Sequence, residues 1–309
     1  MAATTTAAPS ISCSGSSTGE ALIVAVVFSS GDLGDVGRHA VAAALEYPAS
    51  LIQQVRVLSS DPASLRESHW KCGCDGQHSF CEADLARLQL IPVDITTASA
   101  VASLTQHLQV VNAVISCLGN RQPFHDDCVA KKGTLQILRA ITGHLRCHQQ
   151  QEQQQESKGS PPLPALIMLS SVGIADDWPP MEWSREGQRL QGFFRTICWQ
   201  QYQDLTGAEL AVYQVAQTCP EWSFLIVRSV ILEESTKPET AWYVQNTKYK
   251  DHPRADLAKM DCARFMVQQA VQPSLRRRAV VLGGAPVVEE STDGVGVYQK
   301  DSITTCPTG

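Results

Sequence analysis

The sequence has no excess of positive charge: 25 Lys and Arg stand against 31 Asp and Glu, a formal net charge of −6. Nucleic acid and anionic membrane surfaces are therefore not expected as partners, because both recruit clustered cations. The one basic run, Arg276-Arg277-Arg278, comes just before a short apolar stretch and reads as a solvated loop. Long apolar runs are missing too, and nothing approaches the roughly 20 residues a spanning helix needs. The first twenty residues, rich in Ala, Ser and Thr, have neither the apolar core of a secretory signal nor the arginines of a mitochondrial presequence. Residues 1–19 are expected to be disordered, with a plastid-type transit peptide as the alternative, and the chain is expected in the cytoplasm. Regular cysteine spacing is also lacking. The 11 cysteines, an odd number, are scattered from Cys13 to Cys306, and Cys117 lies inside the apolar run Val-Ile-Ser-Cys-Leu. Free thiols in a reducing compartment fit this scatter better than a disulfide framework.

What is present is a rhythm of short apolar runs and longer amphipathic stretches. Ala21 to Phe28 is continuously apolar, as a strand covered on both faces should be. Val36–Leu45 reads as a helix, Val55–Leu58 as a strand, Leu88–Val93 as a third strand and Ala100–Leu108 as a helix. Val110–Leu118 and Pro164–Ser171 read as strands separated by a helix over Thr134–His144. A helix over Tyr202–Ala216, a strand over Trp222–Leu232, a helix over Asp261–Val271 and a strand over Ala279–Leu282 complete the series. Such alternation predicts a doubly wound parallel sheet in the α/β class, with a small C-terminal substrate lobe. The expected division is a domain over 20–285, with insertions at 69–83 and 146–162. Its lobe is drawn from 175–200 and 232–260, and a tail covers 286–309. His148–Gly159, a Gln/Glu tract, is expected to be a solvated insertion at the sheet end remote from the chemistry.

The first strand runs into Ser29-Ser30-Gly31-Asp32-Leu33-Gly34-Asp35-Val36-Gly37-Arg38. Glycines at 31, 34 and 37 permit a tight turn, a close approach of backbone to pyrophosphate and close packing of helix on strand. The helix start adds free N–H groups and the positive end of its dipole. A glycine-rich turn between a buried strand and a helix is the context that dinucleotide binding requires.

This Gly-x-x-Gly-x-x-Gly spacing resembles the short-chain dehydrogenase/reductase superfamily, and within it the atypical branch of NmrA-like and flavin/biliverdin reductase B-like proteins. Asp61-Pro62-Ala63-Ser64-Leu65, Val93-Asp94-Ile95-Thr96, Asn112 to Gly119 and Leu169-Ser170-Ser171 are similar to that branch's motifs in order. So are Ala208-Glu209-Leu210, Phe224 to Arg228 and Asp261 to Phe265. The resemblance implies an NAD(P)-binding Rossmann-like domain whose cofactor is met by residues 30–38 (Ser30, Gly31, Asp32, Leu33, Gly34, Asp35, Val36, Gly37 and Arg38). It also implies contacts from Ser60, Asp94, Ile95, Cys117, Leu118, Gly119 and Ser170. Many relatives have Arg where Ser60 stands; Arg38 can supply that charge, and Asp61 argues for NAD, so NADP is expected with NAD as the alternative.

The resemblance further implies a substrate-holding Ser and a Tyr-x-x-x-Lys pair, in which the Lys lets the Tyr transfer a proton near neutral pH. Ser171 and Tyr202 are the catalytic candidates. Position 206 is Thr, however, and counting from Glu209 puts the pair on Gln201 and Leu205, so it is absent either way. Two readings stay open: an NAD(P)H-dependent reductase of a quinone-, flavin- or carbonyl-type small molecule, and a non-catalytic redox sensor acting on a regulated protein partner.

Between the second and third strands, Cys72, Cys74, His78 and Cys81 offer soft ligands for zinc. Their irregular spacing favours an exposed insertion without metal. Aromatic residues from Trp178 to Trp199 either line a pocket for a flat ligand or pack on themselves, and His125 lies in the loop after Gly119.

Overall fold

The computed structural model describes residues 21–28, 35–62, 80–119, 128–152, 163–174, 192–234, 241–244 and 256–284. The chain opens with β1 (Leu22–Phe28), α1 (Asp35–Glu46) and β2 (Ile52–Ser59). A short α2 (Glu82–Ala86), β3 (Leu88–Pro92), α3 (Ala100–Leu108) and β4 (Ala113–Cys117) follow. Next come α4 (Val129–Glu152), β5 (Ala165–Ser171), α5 (Trp199–Thr218) and β6 (Phe224–Ser229). The last elements are β7 (Ile231–Glu233), β8 (Ala241–Val244), β9 (Asp256–Ala258), α6 (Lys259–Val271) and β10 (Arg278–Gly284).

The main sheet has the order β3-β2-β1-β4-β5-β6-β10-β8. Seven strands are parallel, and β8 closes the edge antiparallel to β10. The order reverses at β1, which pairs with β2 on one side and β4 on the other, bringing Phe28 into register with Cys117. A ligand crevice in such sheets opens beyond the carboxyl ends of the strands at that reversal.

The strands are apolar throughout because both faces are covered. Val24, Val26 and Phe28 turn to a layer built with α1 and α6, while Ala25 and Val27 turn to the layer of α3, α4 and α5. At the opposite edge, β3 tolerates Pro92 because an edge strand needs only one side of its ladder.

Several expectations are revised. The predicted strand over Trp222–Leu232 divides at Val230, and its second half, β7, leaves the main sheet to pair with β9. Within 232–260, β8 returns to the main sheet, while β7 and β9 make a separate two-stranded sheet. The helix predicted over Thr134–His144 is longer than expected: α4 continues through His148 to Glu152, and Gln and Glu are good helix formers. Arg277 is not simply solvated. With φ of 54°, it turns its guanidinium back onto the carbonyls of Ala216 (2.9 Å), Cys219 (3.0 Å) and Trp222 (3.0 Å), collecting acceptors that the end of α5 leaves unpaired. Arg87 does the same for α1, donating to Leu45 and Tyr47, and also to Ile52 at the start of β2.

Gly37 has a physical reason of its own. A Cβ there would stand 2.6 Å from Cδ1 and 2.7 Å from Cγ of Phe28, the last residue of β1. Substituting Gly37→Ala gains about 1 kcal/mol of helix propensity and sets it against an overpacking cost of about 1–3 kcal/mol. The variant is expected to be less stable in urea unfolding, and Phe28→Ala in the same chain should cost less than the two single changes summed. An additive pair would show that the ring is not what excludes the methyl group.

Candidate functional site

The carboxyl ends of β1, β2, β4 and β5 come together with the first turn of α1 where the strand order reverses. Residues 30–34 of the predicted cofactor set lie outside the described residues. Asp35 opens α1, and Val36 is buried in the core, so only its backbone is available to a ligand. Arg38 is half-buried in the first turn, and His39 follows it against Glu234 (Nε2 to Oε2, 3.8 Å). Glu234 also takes the Lys259 ammonium at 2.6 Å, so one carboxylate after β7 ties α1 to the start of α6. Burial lowers the His39 pKa, and the nearby Arg38 and Lys259 lower it further against the opposing pull of Glu234.

At the end of β2, Ser60 and Asp61 are exposed. Ser59 is fully buried, and its hydroxyl has no hydrogen-bond partner among the described residues. Asp94 is exposed, and its Oδ1 accepts from the N–H (3.0 Å) and the hydroxyl (2.6 Å) of Thr96. Ile95 and Leu118 are buried against Gly133 of α4, where a Cβ would meet Leu118 Cδ1 at 2.5 Å. Gly119, by contrast, faces open space: a Cβ there would meet nothing within 4 Å. Burial pushes the Cys117 thiol up to about 12, which makes it a packing group and not a nucleophile.

Beneath the crevice lies a polar core that sequence reasoning did not assemble. Arg228 on β6 and Glu209 on α5 are both 0% exposed and bond through Nη2 to Oε2 at 2.6 Å and Nε to Oε1 at 3.1 Å. Burial works against the Arg228 charge, and Glu209 more than offsets it, so its pKa stands above the ordinary value. Ser170 donates to the same carboxylate at 2.6 Å, while its carbonyl accepts from the Ser229 hydroxyl at 3.1 Å. The signal for this pair was present in the sequence as single charges inside otherwise apolar runs, at Arg228 and at Glu209.

The two predicted catalytic residues have different settings. Alternation along β5 turns Met168 and Ser170 to the α5 layer and Ile167 and Leu169 to the other, which gives Ser171 to the α1 and α6 side. The Ser171 hydroxyl donates to the Val172 carbonyl at 3.2 Å. Tyr202 lies in the first turn of α5, and Nε and Nη2 of Arg195 donate to its hydroxyl oxygen at 3.2 and 3.1 Å. Leu205 is buried, and the Thr206 hydroxyl is buried without a partner among the described residues. Two residues after Tyr202, Asp204 accepts the N–H groups of Ala130 (3.0 Å) and Lys131 (2.7 Å), capping the start of α4 from α5.

Of the zinc candidates, Cys72, Cys74 and His78 lie outside the described residues, as do His125 and Trp178. Cys81 is exposed and places Sγ 3.0 Å from Asp84 Oδ2 at the start of α2. Among the described residues no group of three or more His, Cys, Asp or Glu side chains could hold a metal, and no helix is long and apolar enough to cross a membrane.

No protein-family profile and no curated protein sequence matches the chain. Solved structures do. A short-chain dehydrogenase/reductase from Veillonella parvula in complex with NADP is 11% identical with a TM-score of 0.55, over 85% of this chain and 94% of the other. An anaerobillin reductase from Escherichia coli O157:H7 is 17% identical with a TM-score of 0.51, over 86% and 100%. An oxidoreductase from Lactococcus lactis is 12% identical with a TM-score of 0.50, over 84% and 91%. The likeness is one of fold: the chain has the Rossmann-like α/β fold of these proteins.

Two outcomes are expected from this geometry. Glu209→Leu leaves a guanidinium buried without its partner and should cost about 3–5 kcal/mol, whereas Glu209→Leu with Arg228→Met should recover most of that loss. Denaturant midpoints decide it, and a double variant as unstable as the single one would contradict the role of the charge. For His39, the folded protein resists a proton that the unfolded chain accepts near pH 6.5. Its contribution is therefore complete above that pH and is lost as pH falls through the lowered folded value. His39→Gln should melt closer to the parent protein at pH 5.5 than at pH 7.5, and a pH-independent gap would refute this.

Proposed function

We propose that the chain binds NADP(H) in the crevice above β1 and β4 and serves as a reductase of a quinone-, flavin- or carbonyl-type small molecule. The observation that carries this reading is the contact of Gly37 with Phe28 at the point where strand order reverses. It draws the first turn of α1 onto the end of β1, where its unpaired N–H groups and dipole favour pyrophosphate.

The residues fit a dinucleotide. Residues 30–37 would follow the pyrophosphate, with Arg38 supplying charge for a ribose phosphate. The buried hydroxyl of Ser59 joins Ser60 at the end of β2 as a polar group suited to the adenosine ribose. Asp94 and Ile95 suit the adenine edge, and Cys117, Leu118 and the open face of Gly119 suit the nicotinamide ribose. The exposed Asp61 disfavours a phosphate, and the half-buried Arg38 outweighs it because it lies beside the helix start. The V. parvula neighbour, which is in complex with NADP, supports the same cofactor.

When bound, the reduced nicotinamide supplies hydride; the chain's own residues place the partner of that chemistry. Glu209 holds Ser170, and through its carbonyl Ser229, so the ends of β5 and β6 form a fixed floor. Ser171 ends that floor, and Tyr202 stands on the helix above it.

Fluorescence titration with NADPH and NADH tests the cofactor. NADPH is expected to bind more tightly, and Arg38→Ala should weaken NADPH by about tenfold while changing NADH less. Tighter NADH binding would reject the NADP assignment. Oxidation of NADPH with a panel of quinones and flavins tests turnover, and cofactor binding without any turnover would favour a non-catalytic regulator.

A further inference from the structure

Tyr202 has a hydrogen-bond arrangement that leaves one direction open. Its phenol oxygen accepts two N–H groups from Arg195, through Nε at 3.2 Å and Nη2 at 3.1 Å. A guanidinium has donors and no acceptor, so the Tyr202 proton cannot go to Arg195. Both N–H groups converge on the oxygen from the side of the guanidinium, and the O–H must point elsewhere. Among the described residues nothing accepts it.

Beside it is an apolar platform. Trp199, three residues earlier on the same helix, stacks on Tyr202 with ring centroids 5.6 Å apart and planes 16° apart. Trp199 is nonetheless 47% exposed, and Phe193 and Ile197 next to it are 46% and 54% exposed. Large aromatic and aliphatic side chains exposed together mark a contact surface more often than chance does.

The helix fixes where this surface lies. Tyr202 and Glu209 are seven residues apart and share a face with Thr206, the face turned to the sheet. Glu209 is level with Ser170 at the end of β5, so Tyr202 stands about 10 Å farther toward the rim. It overhangs the carboxyl ends of the strands.

We propose that Trp199, Tyr202 and Arg195 form a recognition edge for a planar conjugated carbonyl compound of the quinone class. The ring of the ligand lies against Trp199, and a carbonyl oxygen accepts the Tyr202 hydrogen. Arg195 orients that hydroxyl by donating to its oxygen, which turns the O–H away from the guanidinium, and its charge strengthens the phenol as a donor. This assignment deepens the reductase reading and rests on it for its biological meaning, but the binding it describes needs no cofactor.

The test is calorimetry without cofactor, using 2-methyl-1,4-naphthoquinone and 2-methylnaphthalene, which has the same rings and lacks the carbonyls. The parent protein should prefer the quinone. Tyr202→Phe should reduce that preference about five- to tenfold while leaving the hydrocarbon unchanged, the size expected for one well-aligned hydrogen bond. Trp199→Leu should weaken both ligands alike. Arg195→Met should act like Tyr202→Phe, with Arg195→Lys partly restoring the preference. If neither compound binds, or if Tyr202→Phe leaves the preference intact, the assignment is overturned. NADPH titration of each variant separates the two readings: unchanged NADPH affinity with lost quinone preference supports the recognition edge. Failure of the parent protein to bind NADPH, with the quinone preference intact, removes the reductase reading alone.

Discussion

A carboxylate and a guanidinium withdrawn from solvent must satisfy each other, and in this chain Glu209 and Arg228 do so with two bonds across the α5–β6 boundary. Removing two charges from water is expensive, and only close geometry with further hydrogen bonds recovers that cost. The further bond comes from Ser170 on β5, so three elements share one electrostatic knot. Tyr213, one turn beyond Glu209, feels it as well: burial and the adjacent carboxylate push its phenol up. An apolar contact could have joined α5 to the sheet more cheaply. The ion pair fixes which turn of α5 faces which residue of β5, and every residue at the helix start inherits its height above the strands from that register.

The two faces of the sheet consequently differ in character. The layer with α1 and α6 is mainly apolar, although it also buries Ser59, Asp261 and Gln269, and in it Cys262, its thiol pushed up by burial, behaves as one more hydrophobe. The layer with α4 and α5 holds Arg228, Glu209 and Ser170, and Thr206 contributes a buried hydroxyl. One face supplies stability by area; the other adds direction, since hydrogen bonds and ion pairs tolerate little misalignment. Tyr202 belongs to the second face, and the packing of Gly37 on Phe28 belongs to the first.

The fold was largely legible in the sequence because covered strands must be apolar and the turns between them must not be. The expected end of α4 falls too early, at His144, because the apolar period fades there, although a helix already under way needs only good helix formers to continue. β8 and β9 escaped notice because four and three residues are too short for a period to show. The close packing of helix on strand at Gly37 could be read from spacing, since that requirement is local. The setting of Tyr202 could not. Comparison with Tyr-x-x-x-Lys directed attention four residues downstream, while the cation that meets the phenol lies seven residues upstream and reaches it only through the turn preceding α5. The Glu209–Arg228 pair was visible as two isolated charges, but only the strand order brings a helix residue opposite a neighbouring strand.

The cap that Asp204 places on α4 also has a mechanical meaning. Its buried carboxylate accepts two backbone N–H groups of the neighbouring helix, which ties the starts of α4 and α5 to each other. On the other flank, Glu234 after β7 is 63% exposed and holds the Lys259 ammonium at 2.6 Å, while His39 of α1, 3.8 Å away, has a lowered pKa that leaves it uncharged near neutral pH. Exposed ionic contacts of this kind are weak and are screened by salt. The α5 side of the crevice is therefore pinned by buried bonds that salt does not reach, whereas the link between the end of β7 and the start of α6 loosens as ionic strength rises.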